Sequence, residues 1–269
     1  MRADLDRLFE QLWTNYVAIT PHARRIRDFL EQRGEPFVND HVAFRTFDRA
    51  PVSLPDLEHH LVGLGYRRHA PYHFPAKRVK AFGYLPPEPD YPRVFLSEVM
   101  TQMLSERAQR VIGRLCDEID PTDVTGPEVF WSGRLWAPIA HAEYLQLAEE
   151  SEYAAWVAAL GIRPNHFTWS VNRLESFTGI EAVVDALEAE GYALNTEGGR
   201  IKGGHEVLLA QASTLADHMP VTFRGGEEHV IPTCYVEFAQ RYADASGQLY
   251  QGFVAASADR IFESTNRAR

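Results

Sequence analysis

The stretch Asp40-His41-Val42-Ala43-Phe44-Arg45-Thr46-Phe47 decides how this chain folds. It is dense in β-branched and aromatic residues and is bounded by Asn39-Asp40 and Asp48, a pattern that predicts a strand. Side chains on a strand alternate, so His41, Ala43, Arg45 and Phe47 share one face. Far downstream, Asn165-His166-Phe167-Thr168-Trp169-Ser170-Val171 has the same make-up and puts His166, Thr168 and Ser170 on one face.

The residues downstream of each stretch also match. Twelve residues after His41 comes Ser53, with Asp56 three further on; twelve after His166 comes Thr178, with Glu181 three further on. Both pairs have the spacing of a capping box at a helix start. Leu54, Leu57, Leu61 and Leu64 stripe the first predicted helix; Ile180, Val183, Val184 and Leu187 stripe the second. Gly65-Tyr66 and Gly191-Tyr192 end them, glycine being the usual helix stop. Arg-Val-Lys at 78–80 and Arg-Ile-Lys at 200–202 come next, and each half closes on a strand with a glutamate, Glu98 and Glu237. Five matches in one order predict an α+β fold with a duplicated β-α-β-β-β unit closing a curved sheet or barrel.

The expected organisation is a single domain, 1–269, built from two modules at about 37–100 and 163–241. Helices at 3–33 precede them, broken at Thr20-Pro21, and a helical segment at 101–160 separates them. Trp131, Trp136, Tyr153 and Trp156 of that segment are expected to pack over a sheet. The tail from Tyr250 to Thr265 has helical spacing and serves either as a lid or as packing.

The composition is that of a globular protein, 45% hydrophobic and 24% charged, with a formal charge of -10. No Lys/Arg run exceeds a pair, which argues against nucleic acid or an anionic membrane as partner. The two cysteines, Cys116 and Cys234, cannot build a disulfide framework. The N-terminus lacks the apolar run of a secretory signal, and no apolar run is long enough to span a bilayer; a soluble, cytoplasmic protein is expected.

The chemistry is expected where the two halves meet. Tyr235, Glu237 and Ala239 share a face of the last strand, so one closed sheet can turn His41, His166 and Glu237 toward a common interior. Two imidazoles and one carboxylate are the facial triad of non-haem iron(II) oxygenases, which leaves positions for a chelating substrate and dioxygen. A lone strand histidine is more often structural than a ligand; these two stand out because they occupy matching places in a repeat. Arg45, on the His41 face, suits a substrate carboxylate, while a salt bridge to Glu98 is the competing use. Lys80 and Lys202 are weaker candidates for the same task. His205, after Gly203-Gly204, can approach the site closely, and Phe47, Phe167 or Tyr235 can wall it.

DHVAFRTF (40–47), NHFTWSV (165–171) and YVEF (235–238) resemble the 2-oxoadipate dioxygenase/decarboxylase family, also called D-2-hydroxyglutarate synthase, of the vicinal-oxygen-chelate superfamily. The resemblance runs from about residue 5 to residue 265, the His-x-x-x-Arg strand being its most specific motif, although many members are longer. It implies an Fe(II) cofactor on His41, His166 and Glu237, with Arg45 as the substrate-binding and catalytic arginine. The implied partners are a small 2-oxo acid and dioxygen, and the implied reaction converts 2-oxoadipate to (R)-2-hydroxyglutarate and CO2 in lysine catabolism. Two rivals remain open. A glyoxalase-type isomerase or lyase would use a fourth protein ligand, for which Glu98 is the candidate; a metal-free protein would merely bind a small ligand in the same cavity.

Overall fold

The computed structural model describes residues 2–266. Helices α1 (Arg2–Ala18) and α2 (Pro21–Glu31) come first. The first half is β1 (Asn39–Phe47), α3 (Leu54–Gly63), β2 (Arg67–Phe74), β3 (Val79–Leu85) and β4 (Arg93–Val99). Helices α4 (Glu106–Asp117), α5 (His141–Glu150) and α6 (Glu152–Leu160) lie between the halves. The second half is β5 (Pro164–Ser170), α7 (Ile180–Ala189), β6 (Lys202–Gly204), β7 (Leu209–Ser213), a separate ribbon of β8 (His218–Thr222) and β9 (Glu228–Pro232), then β10 (Tyr235–Arg241). Helix α8 (Ala255–Ile261) closes the described chain with a short turn, Phe262–Thr265. Among the described residues no helix is long and apolar enough to cross a membrane.

Eight strands form one sheet in the order β2-β3-β4-β1-β5-β10-β7-β6. That order reads the same from either end once each strand is exchanged for its counterpart in the other half, so the duplication expected from sequence is present. The halves join along β1 and β5, antiparallel, with His41 opposite Thr168 and Ala43 opposite His166. The outer faces of these strands carry apolar residues under the helices. Trp13 of α1 meets Phe167 and Trp169 edge-on at 5.2 and 5.9 Å, and Phe44 lies 4.8 Å from Phe130. Phe167 is therefore core, and Phe47 packs on Trp136; neither walls the inner cavity.

The registers correct three of the sequence matches. Strand β4 runs parallel to β1 with Arg93 beside His41 and Phe95 beside Ala43. Strand β10 runs parallel to β5 with Tyr235 beside His166 and Glu237 beside Thr168. The counterpart of Glu237 is thus Phe95, not Glu98. Glu98 corresponds to Gln240, and the two do the same work: Glu98 Oε2 accepts the Leu54 N–H that opens α3 at 2.6 Å, and Gln240 Oε1 accepts the Ile180 N–H that opens α7 at 2.9 Å. The 78–80 and 200–202 tripeptides do not correspond either. Arg78 matches Leu208, both left-handed non-glycine residues just before β3 and β7, whereas Lys202 pairs with Gln211 as Tyr72 pairs with Ala81. Finally, the Ser53–Asp56 capping box forms at 3.0 Å, but Gly179 caps α7, so Thr178 and Glu181 make no second box.

The two glycine stops form as the sequence predicts: Gly65 and Gly191 take φ of 89° and 85°, and the Tyr66 and Tyr192 amides just after them bond back to Leu61 and Leu187. At the start of α2, Asp217 accepts the His22 N–H at 2.8 Å and faces the His22 ring, whose other nitrogen meets the Thr214 hydroxyl at 3.1 Å. Thr214 and His22 of this row are buried and Asp217 is half-buried, and the Thr214 hydroxyl also accepts the Val236 N–H, so it ties a helix to the sheet.

Because Gln serves α7 where Glu98 serves α3, Glu98→Gln should be tolerated far better than Glu98→Ala. The alanine variant leaves a helix-start N–H buried without an acceptor, at about 1–3 kcal/mol. Denaturant unfolding of the three proteins checks this, and equal losses for both variants would remove the capping role.

Candidate metal centre

The sheet register places two histidine rings and one carboxylate face to face at the seam. His41 Nε2 lies 3.4 Å from His166 Nε2 and 3.4 Å from Glu237 Oε1, and His166 Nε2 lies 3.1 Å from Glu237 Oε2. One donor atom from each side chain falls within 4.8 Å of the other two, and all three residues are buried. Donors bound at ~2.1 Å on adjacent corners around one ion stand about 3 Å apart, so the trio fits a single cation with little movement.

Each imidazole is held from behind by the residue before it. His41 Nδ1 meets Asp40 Oδ2 at 2.8 Å, and His166 Nδ1 meets Asn165 Oδ1 at 3.2 Å. A proton on Nδ1 toward either oxygen leaves Nε2 bare for a metal. Burial, with the nearby His41 and Arg45, keeps the His166 pKa well below its ordinary value and the ring neutral. Burial also raises the Glu237 carboxyl pKa, against the opposing pull of His41 and of Gln211, whose Nε2 donates to Oε1 at 2.6 Å.

Asp40 is the hub of a buried ionic network. Burial alone would raise its pKa, but the Arg241 guanidinium and the hydrogen bonds from His41 and Arg241 hold it well below the carboxylate range. Arg241 grips both Asp40 oxygens at 2.8 Å and donates through Nη1 to the carbonyls of Tyr250 and Gly252 at 2.9 and 2.8 Å. It thereby ties a donor histidine to the base of the C-terminal segment.

Arg45 is 2% exposed and borders the same cavity as the three donors. Glu98 is not its partner: that carboxylate points to the helix side and pairs with Lys80 at 2.9 Å. Arg45 instead sits among the rings of Tyr153, Trp156 and Phe262, each 5.2–5.4 Å from its Cζ, and its Nη1 donates to Thr265 Oγ1 at 3.1 Å. Among the described residues its Nε and Nη2 have no hydrogen-bond partner, nor does the Tyr235 hydroxyl, which faces the guanidinium. Burying these donors is costly unless something completes them.

The cavity wall is Phe95, Tyr235, Phe253, Ala258, Ile261 and Phe262, so the C-terminal segment covers the site and is not remote packing. Tyr153 and Trp156 brace Arg45 and do not merely cover a sheet: the Tyr153 hydroxyl bonds Ser97 and the Thr46 N–H, and Trp156 Nε1 bonds the Thr233 carbonyl. His205 lies against Tyr242, and Lys202 donates to the Asn195 carbonyl; neither lines the cavity. Asp40, Asn165 and Gln211 are site residues that the sequence motifs did not single out. The first two were legible, since each stands directly before its histidine in both repeats. Phe95, the counterpart of Glu237 by register, has no donor atom.

A curled sheet of two mirrored halves with donors at the seam defines a protein of vicinal-oxygen-chelate architecture. The chain belongs to the 2-oxoadipate dioxygenase/decarboxylase family, whose sequence model matches residues 7–121 and 128–248. It is 33% identical to the chloroplastic 2-oxoadipate dioxygenase/decarboxylase of Arabidopsis thaliana, over 95% of this chain and 76% of that protein. The crystal structure of hydroxyglutarate synthase from Oryza sativa in complex with 2-oxoadipate matches with a TM-score of 0.92 at 30% identity, covering 97% of this chain and 92% of that one. A Shewanella frigidimarina protein provisionally described as a hydrolase matches with a TM-score of 0.88 at 45% identity, covering 93% and 98%.

Removing Arg241 would leave the Asp40 charge buried with weaker partners. Arg241→Met is expected to cost about 3–5 kcal/mol of unfolding free energy, with Arg241→Lys recovering part. A loss below ~1 kcal/mol in denaturant titrations would show that the network does not brace this side of the site.

Proposed function

We propose that this chain is a non-haem iron(II) dioxygenase that converts 2-oxoadipate and O2 to (R)-2-hydroxyglutarate and CO2. The observation that carries the proposal is the meeting, in one buried cavity, of a two-histidine, one-carboxylate donor set with an arginine whose Nε and Nη2 are unpartnered. Atoms balance: a six-carbon acid loses its C1 carboxylate as CO2, and the two oxygens of O2 end in the new carboxylate and the new hydroxyl of the five-carbon product. The names of the plant relatives and the 2-oxoadipate complex of the rice enzyme support the same substrate class.

His41 Nε2, His166 Nε2 and a Glu237 oxygen would hold the iron, neutral imidazoles favouring it over calcium or magnesium. Bound there, the ion would act as a Lewis acid toward the 2-oxo acid and supply the binding place for dioxygen. Asp40 and Asn165 fix the ring orientations, and Gln211 orients the Glu237 carboxylate. Arg45 would receive the distal carboxylate, its planar fork matching the two oxygens, with the Tyr235 hydroxyl as a further donor. Its role is to position the acid. Phe95, Phe253 and Phe262 exclude bulk water from the reacting end. An isomerase that drew its fourth ligand from the counterpart of Glu237 would need a donor where Phe95 stands.

Oxygen uptake, CO2 release and bound iron, measured together with a panel of 2-oxo acids, test the assignment. The wild type should consume one O2 per CO2 with 2-oxoadipate, and His41→Ala, His166→Ala and Glu237→Ala should each lose iron and turnover while staying folded. Arg45→Ala should keep iron and lose roughly 2–5 kcal/mol of transition-state stabilisation, more for diacids than for an apolar-tailed 2-oxo acid. Full turnover with stoichiometric iron in any of the three ligand variants would remove that residue from the centre. Equal losses for both acid types in Arg45→Ala would make the arginine structural.

A further inference from the structure

Arg45 and Phe262 are the two residues that border both the metal cavity and a second cavity behind it. The second is lined by Ser151, Thr265 and Asn266, by the carboxylates Glu150, Glu152 and Glu263, and by Lys77, which is paired with Glu263. The metal cavity offers an enclosed space of about 30 Å³, against about 160 Å³ in its neighbour.

The cavity walls come from two parts of the chain, the strands of the main sheet and a C-terminal segment that supplies Phe253, Ala258, Ile261 and Phe262. His41, Ala43, Arg45, Phe95, His166, Tyr235 and Glu237 stand on strands locked in the ladder of the main sheet. Phe262 opens a single turn after α8 and is half-buried. Its ring meets Phe74 at 5.1 Å, Tyr153 at 6.1 Å and the Arg45 guanidinium at 5.4 Å, with the second cavity at its back.

We propose that Phe262 is the specificity-determining residue for chain length, its ring forming the end wall at the carboxylate-binding guanidinium. The proposal rests on the assignment of the site to 2-oxo diacids. With the ring in place, a distal carboxylate meets Arg45 at the six-carbon length. Without it, a longer acid extends past the guanidinium toward Thr265 and Asn266.

The test compares 2-oxoadipate with 2-oxopimelate, one methylene longer, on wild type, Phe262→Ala and Phe262→Leu. Steady-state oxygen uptake gives the ratio of kcat/KM values, and titration calorimetry on the metal-free proteins gives the ratio of Kd values without turnover. Near-UV circular dichroism confirms the folded state, and the leucine variant serves if alanine disturbs it. The preference should shift toward the seven-carbon acid at least tenfold in Phe262→Ala and by less in Phe262→Leu, in both measurements. Ratios within twofold of wild type in both folded variants overturn the proposal while leaving the diacid assignment standing. A wild type that turns over neither acid overturns both.

Discussion

Everything at the centre of this protein depends on the antiparallel register of β1 against β5. It sets His41 opposite Thr168 and Ala43 opposite His166, so the two rings lean toward one point from adjacent strands. Sheet side chains alternate, and a slip of one residue would turn both rings under the helices. The register is held by what lies on the other face, where Phe167 and Trp169 pack beneath Trp13 and Phe44 packs on Phe130. An apolar core on one side of the sheet therefore positions polar donors on the other.

That inner face gathers groups that would be costly apart. A carboxylate and two imidazoles within 3.4 Å of one another need orientation and a positive partner. Asp40, Asn165 and Gln211 supply the orientation. A divalent ion would supply the charge. The asymmetry between the halves is informative: His41 is backed by a charged Asp40 anchored to Arg241, whereas His166 is backed by a neutral amide near Arg45. The cavity itself carries the Glu237 carboxylate among the donors and the Arg45 guanidinium beside them, an arrangement suited to a chelating head and an acidic tail.

The paired histidine strands, their helices and the glycine stops were legible because each rests on a local rule: alternation, a leucine stripe, a left-handed glycine. The correspondence of Glu98 with Glu237 failed for a physical reason. Residue identity suggested it, but strand pairing decides equivalence, and pairing matches Glu98 with Gln240 through a shared hydrogen bond to a helix start. The tripeptides at 78–80 and 200–202 failed in the same way, since the feature the halves share is a left-handed backbone at Arg78 and Leu208. The braces of Arg45 were illegible for another reason. Tyr153, Trp156, Phe262 and Thr265 are brought to it by long-range packing of α6 and the C-terminal turn, which no local periodicity encodes.

The central claim is that the seam of the sheet is an iron site. Anomalous diffraction at the iron edge from crystals grown and loaded with Fe(II) without oxygen tests it most directly. A single peak about 2.1 Å from His41 Nε2, His166 Nε2 and a Glu237 oxygen is the expected result. An iron peak elsewhere in the molecule, or an empty seam in protein that retains stoichiometric iron, would contradict it.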